Sequence, residues 1–130
     1  PPGCRCARTS RPRPGAMAAD RDARVLDALF AVIEARKGGS PDTSYTAKLL
    51  AAGAPKIARK VGEEAVEVVV AALGEPDKLA AESADLLYHL LVLWADAGMT
   101  PQAVWAELDR REGTSGLAEK ASRAPNAKPD

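Results

Sequence analysis

Two stretches of this chain are apolar on nearly every side when wound as helices, and that narrows the folds open to it. In residues 55–74, Ile57, Val61, Ala65, Val66, Val68, Val69, Val70, Ala72 and Leu73 cover well over half the circumference. What remains is a narrow stripe of Lys56, Lys60, Glu63, Glu64 and Glu67. In residues 76–98, Leu79, Leu86, Leu87, Leu90, Leu91, Leu93 and Trp94 leave a similar stripe of Lys78, Glu82, Asp85, His89 and Asp96. A helix apolar on most sides is expected to be surrounded by protein. Its polar stripe must then face a cleft, a ligand or compensating charge, because isolated buried carboxylates are costly or neutralise.

The rest of the chain is also helical in pattern. Ala is abundant and no segment alternates β-branched residues with polar ones. A first helix is expected from about Arg21 to Lys37, capped by Asp20 and stopped by Gly38-Gly39, with Val25, Leu29, Val32, Ile33 and Arg36 on one face. The stretch GGSPDTSYT predicts a loop, and TAKLLAAG a short helical turn after it. The long helices follow, near Pro55 to Gly74 and Pro76 to Gly98, and then a last one from Thr100 and Pro101 to about Arg111. Short connectors between such helices predict an all-α, antiparallel four-helix bundle. Leu90, Leu91, Leu93, Trp94 and Trp105 exceed what four short helices readily cover, which predicts dimerisation.

Composition removes other classes. No apolar run approaches the ~18 residues of a bilayer span, so no membrane partner is expected. With two Cys and one His in 130 residues, a four-ligand zinc site and a disulfide framework are excluded. A Glu-x-x-His di-iron bundle fails on the same count. The zero formal charge is uneven: Arg5, Arg8, Arg11 and Arg13 face no acid in residues 1–16, leaving 14 bases against 18 acids beyond them, a net of −4. That remainder is a poor nucleic-acid binder. Residues 1–18 are expected to form a disordered Pro/Arg-rich tail, 19–123 the helical domain, and 124–130 a second disordered tail. Met17, the first methionine, is the expected biological start, with residues 1–16 an upstream extension.

The acids carry the chemistry. Glu64 and Glu67 form ExxE, Glu82 and Asp85 form ExxD, and residues three apart on a helix can aim at one point. Glu67 lies seven residues before Gly74 and Glu82 eight after it, so an antiparallel pair brings them level. Four carboxylates can then converge, with Glu63 as a fifth. Such an all-oxygen set suits Mg²⁺, with Mn²⁺ as a substitute. Lys60, one turn before the acids, can balance them or reach a phosphate. Acidic helix faces are often merely solvated, but two such motifs on adjacent helices with no other polar face argue against that. His89 is one turn after Asp85, and a lone histidine is more often packed or hydrogen-bonded than a metal ligand.

At GEEAVE followed by ESADLLYHLL the chain resembles the MazG-type all-α nucleoside-triphosphate pyrophosphohydrolases. LFAVIEARK, SYTAKLL, KIARKVGEEAVEVV, ADLLYHLLVLW and REGTSGLAEKASR narrow the resemblance to the phosphoribosyl-ATP pyrophosphohydrolase family over about residues 24–123. The resemblance implies Mg²⁺-dependent hydrolysis between the α and β phosphates of phosphoribosyl-ATP, in the second step of histidine biosynthesis. It also implies a cytoplasmic homodimer. On this reading Glu64, Glu67, Glu82 and Asp85 hold one or two ions, while Glu63, or a non-coordinating acid such as Glu64, takes the proton from water. Arg36, Lys56, Lys60 and His89, with the hydroxyls of Ser44, Tyr45 and Thr46, are the candidates for substrate binding; Thr46 could equally be only a helix cap. Arg110, Arg111 and the GTSG turn could fold over phosphates or form an ordinary basic helix end. Two rivals remain: a housecleaning pyrophosphohydrolase acting on dUTP or another nucleotide, and a helical dimerisation module without catalysis.

Overall fold

The computed structural model describes residues 22–123, so the tail expectations, Met17 and the Asp20 cap lie outside the described residues. Among the described residues all regular structure is helical: α1 (Arg24–Ala35), α2 (Tyr45–Ala52), α3 (Ala54–Gly74), α4 (Leu79–Asp96), α5 (Pro101–Arg111) and α6 (Gly116–Ser122). A 3₁₀ turn, Pro76–Lys78, precedes α4. The expected all-α class stands, with one helix more than the sequence pattern suggested.

Helix α1 opens three residues later than expected, where Asp22 Oδ1 accepts the Arg24 backbone N–H at 2.9 Å. At the start of α2, Ser44 Oγ accepts from the Ala47 N–H at 3.2 Å, so Ser44 and not Thr46 is the cap. Gly53, at φ 84°, then lets the chain turn directly into α3, whose first turn contains Pro55. Helix α4 ends in a Schellman arrangement, with Gly98 at φ 70° and the Met99 N–H donating to the Trp94 carbonyl at 2.9 Å.

The tight 3₁₀ connection sets α3 and α4 side by side and antiparallel, and these two helices share the most extensive contact in the fold. Helix α1 packs on α4, and α2 bridges α3 and α4. Ile33 of α1, Leu49 of α2, Ile57 of α3, and Leu91, Val92 and Ala95 of α4 form the buried core. Each large aliphatic side chain there contributes about 1.5–3 kcal/mol by leaving water. Helix α5 returns to the body through the edge-to-face pair Trp94–Trp105, centroids 6.1 Å apart, and through Gln102 Nε2, which donates to Asp27 Oδ1 at 3.2 Å.

Two packing expectations need correction. On α1 only Ile33 is fully buried, while Val25, Val32 and Arg36 are exposed, because one narrow seam of this helix meets α4. Helix α3 is not surrounded by protein within the single chain: Val66, Val69, Val70 and Leu73 are 50–84% exposed, and Leu87 of α4 is also exposed. Its inward seam is made by Ile57 and Ala71.

Candidate active site

Glu64 enters the α3/α4 groove from α3, and Glu82 and Asp85 enter it from α4. Oxygen atoms of these three carboxylates lie within 4.8 Å of one another. Glu64 and Glu82 are half-buried and Asp85 is exposed, so the cluster sits at the open edge of the groove. The carboxyl of Glu82 is pushed above its ordinary range by partial desolvation first, and then by the negative charges of Asp85, Glu67 and Glu64. Crowding of this kind is relieved by a cation, and the donors are all hard oxygens, as Mg²⁺ or Mn²⁺ prefers. The residues therefore fit a divalent ion.

Glu67 does not join the close trio. It is exposed one turn further along α3, near enough for its charge to act on Glu82. Glu63 is turned out of the cluster: Lys60 Nζ is 2.9 Å from its Oε2, and Arg59 Nε is 3.8 Å from its Oε1. The hydrogen bond from Lys60 holds the Glu63 carboxyl below the usual range, and the same bond raises the Lys60 ammonium. A carboxylate held that way is a weak proton acceptor, which counts against Glu63 as the base. At the other end of the trio, Lys78 is bonded to Glu75 at 2.7 Å and also feels Glu82 and Glu67. Ammonium groups thus bracket the acids along the groove.

The remaining expected substrate contacts divide. Lys56 is half-buried in the first turn of α3, one helical turn before Lys60, and makes no ion pair among the described residues. Arg36 is exposed at the end of α1 and likewise has no ion pair among the described residues. The three hydroxyls at the start of α2 have partners within the protein, although Tyr45 is itself half-exposed. Ser44 caps α2, the Thr46 hydroxyl is bonded to the Tyr88 hydroxyl, and the Tyr45 hydroxyl stands 3.5 Å from His89 Nε2. His89 itself is 6% exposed, and its Nδ1 lies 2.8 Å from the Asp85 carbonyl oxygen. Its ring is thus bonded through Nδ1, and the Tyr45 hydroxyl approaches Nε2 at 3.5 Å.

Arg110 and Arg111 are engaged in a structural network. Arg110 reaches Glu107 at 2.8 Å and Glu119 at 2.9 Å, while Arg111 reaches them at 2.7 and 3.5 Å. Arg123 adds a third guanidinium to Glu119 at 3.1 Å. Sequence reasoning missed Glu119 and helix α6, although Ser115, which accepts the Ala118 N–H at 3.1 Å, is a recognisable cap. Tyr88 was missed as well; only its place beside His89 pointed to it. A cavity of about 420 Å³ lined by Lys37, Gly38, Gly39, Ala47, Leu50, Ala51 and Asp96 lies elsewhere. It is roughly three helical turns of α4 away from Asp85 and contains none of the three clustered acids.

Known proteins match this chain in sequence. Residues 26–112 match the family model described as phosphoribosyl-ATP pyrophosphohydrolase. The chain is 62% identical over 109 residues to a phosphoribosyl-ATP pyrophosphatase of Azospirillum brasilense, covering 82% of this chain and 98% of that protein. It is 65% identical over 105 residues to that of Paramagnetospirillum magneticum, covering 80% and 96%. With the Rhodospirillum rubrum protein it shares 64% over 100 residues, or 76% of this chain and 86% of the relative. The family model and these relatives agree: the chain belongs to the phosphoribosyl-ATP pyrophosphohydrolase family.

Proposed function

We propose that the groove holding Glu64, Glu82 and Asp85 is where this chain hydrolyses phosphoribosyl-ATP to phosphoribosyl-AMP and pyrophosphate, the second step of histidine biosynthesis. The convergence of those three carboxylates within 4.8 Å, in a chain so similar to named phosphoribosyl-ATP pyrophosphatases, carries this reading. Glu64, Glu82 and Asp85 would hold Mg²⁺, with Glu67 one turn away as a further oxygen donor. When bound, the ion supplies charge neutralisation for the triphosphate and lowers the pKa of nearby water.

The chain's own residues supply the rest. Lys60 and Lys56, one turn apart on the same helix as Glu64, offer positive charge along the path of a polyphosphate. Glu63 holds Lys60 in a 2.9 Å ion pair one turn before Glu64. Arg36 is a further candidate for anionic groups of the substrate. Proton removal from water falls to a carboxylate of the cluster that is free at that moment, and Glu64 is the candidate on α3. It makes no ion pair among the described residues, whereas Glu63 is bonded to Lys60 at 2.9 Å.

The same reading includes a cytoplasmic homodimer without nucleic-acid partners. No described helix is long and apolar enough to cross a membrane. The exposed stripe Val66, Val69, Val70 and Leu73 is what a second copy would cover, and pairing α3 and α4 with the same helices of that copy would complete a four-helix bundle. The net negative charge beyond residue 16 disfavours nucleic acid. The decisive assay measures pyrophosphate release with phosphoribosyl-ATP, ATP and dUTP, with and without Mg²⁺. Rapid Mg²⁺-dependent turnover of phosphoribosyl-ATP alone is expected. Preference for dUTP, or turnover indifferent to divalent ions, would overturn the reading.

A further inference from the structure

The turn of α4 that carries Asp85 is gripped at two successive residues by the start of α2. Tyr88 shares its hydroxyl hydrogen bond with Thr46, and His89 Nε2 stands 3.5 Å from the Tyr45 hydroxyl. The His89 ring is buried, packed edge-on against Tyr88 with centroids 5.0 Å apart and planes at 81°. Its Nδ1 lies 2.8 Å from the Asp85 carbonyl oxygen. A carbonyl can only accept, so Nδ1 carries the proton and, in the neutral ring, Nε2 is left as an acceptor. Where the Tyr45 hydroxyl and Nε2 share a hydrogen bond, the hydroxyl is the donor.

We infer that His89 and Tyr45 are positioning residues for the carboxylates on α4, acting through a chain that runs from the Tyr45 hydroxyl, through His89, to the Asp85 carbonyl. The chain crosses from α2 to the helix that supplies two of the three clustered acids, and it enters at one of them. It fixes where that turn presents Asp85 and, three residues earlier on the same face, Glu82. This inference rests on the proposal that these acids hold a divalent ion. The Tyr45 link, at 3.5 Å, is at the outer limit of a hydrogen bond, so its share is smaller than that of His89.

The test is Mn²⁺ binding to the full chain by electron paramagnetic resonance, with the metal alone as probe, beside kinetics at saturating Mn²⁺. His89→Leu fills similar space without a donor and is expected to weaken Mn²⁺ binding roughly 10-fold. His89→Asn, whose amide can reach the same carbonyl, should recover most of that. Tyr45→Phe should weaken binding about 2–3-fold, in keeping with its longer link. The KM for phosphoribosyl-ATP at saturating Mn²⁺ should stay unchanged in all three. Mn²⁺ affinity equal to the parent in both His89→Leu and Tyr45→Phe overturns the inference, and so does a raised KM at constant Mn²⁺ affinity, which would make these residues substrate contacts. If His89→Leu does not fold, Tyr45→Phe, which loses one oxygen from a half-exposed side chain, decides by the same measure. Glu82→Gln separates the two readings. Unchanged Mn²⁺ affinity there rejects the metal site itself, whereas weakened affinity there with unchanged His89→Leu and Tyr45→Phe rejects only the positioning roles.

Discussion

Glu64 on α3 and Glu82 on α4 face each other across the helix pair, each with a carboxylate oxygen inside the same 4.8 Å cluster. Partial desolvation first, and then the negative charges of Asp85, Glu67 and Glu64, raise the Glu82 carboxyl. A carboxyl whose pKa is higher folded than unfolded detracts from stability above the folded value, where it is ionised in both states but more crowded in the native one. Glu82→Gln should therefore leave the Tm without divalent ions equal or higher. It should also abolish the Mg²⁺-induced rise in Tm. Losing a ligand to the ion removes several kcal/mol of transition-state stabilisation, so turnover should fall roughly 10²–10³-fold. Scanning calorimetry with and without Mg²⁺ checks the first two points, and pyrophosphate release the third. A Tm that drops in the absence of metal would contradict this account.

Acid stability should depend on Glu107. Hydrogen bonds from Arg110 and Arg111 hold its carboxyl down to about 2, against an ordinary value of 4.5. Because the folded value is the lower one, the stabilising contribution is complete above about pH 4.5 and is lost as the pH falls towards 2. Urea titrations between those limits should show stability declining more steeply in the parent than in Glu107→Gln. Parallel profiles would remove Glu107 from the acid transition.

Glu119 is 6% exposed and receives three guanidinium groups, two of them, Arg110 and Arg111, from α5, which ties α6 to α5. Replacing it by Leu should cost about 1 kcal/mol, because the guanidinium groups it releases are 34–59% exposed and regain water. Hydrogen exchange should become faster in Gly116–Ser122 while α3 and α4 keep their protection. Uniformly faster exchange would mean that α6 is integral to the core.

Leu91 is 1% exposed at the centre of the cluster formed by Ile33, Leu49, Ile57 and Val92. Leu91→Ala should destabilise the chain by about 2–5 kcal/mol, through lost burial and the cavity left behind. Chemical denaturation measures this directly. A loss below about 1 kcal/mol would show that the site collapses around the smaller side chain.

The exposed valines test the dimer. Val69 is 56% exposed on α3 between Val66 and Leu73. Val69→Lys should convert a sedimenting dimer to monomer, while circular dichroism remains helical. A parent chain that already sediments as a monomer at micromolar concentration would end the proposal.

Much of this was legible in the sequence. Ala-rich periodicity gave the all-helical class, and Pro55, Gly74, Pro76 and Pro101 marked helix ends close to those observed. The three-residue spacings within Glu64/Glu67 and Glu82/Asp85 identified the acidic faces, because i, i+3 geometry is a property of any α-helix. Spacing alone could not decide how far each helix is rotated about its axis. That rotation is set where Ile57 and Ala71 of α3 and Leu91 and Val92 of α4 are buried. It brings Glu64 into the cluster, leaves Glu67 one turn out, and turns Glu63 towards Lys60. The contacts of the Tyr45 and Thr46 hydroxyls with α4, and the exposure of the α3 valines, are likewise decided by which helices pack together. Local sequence fixes periodicity along a helix, whereas only packing between helices fixes what each face meets.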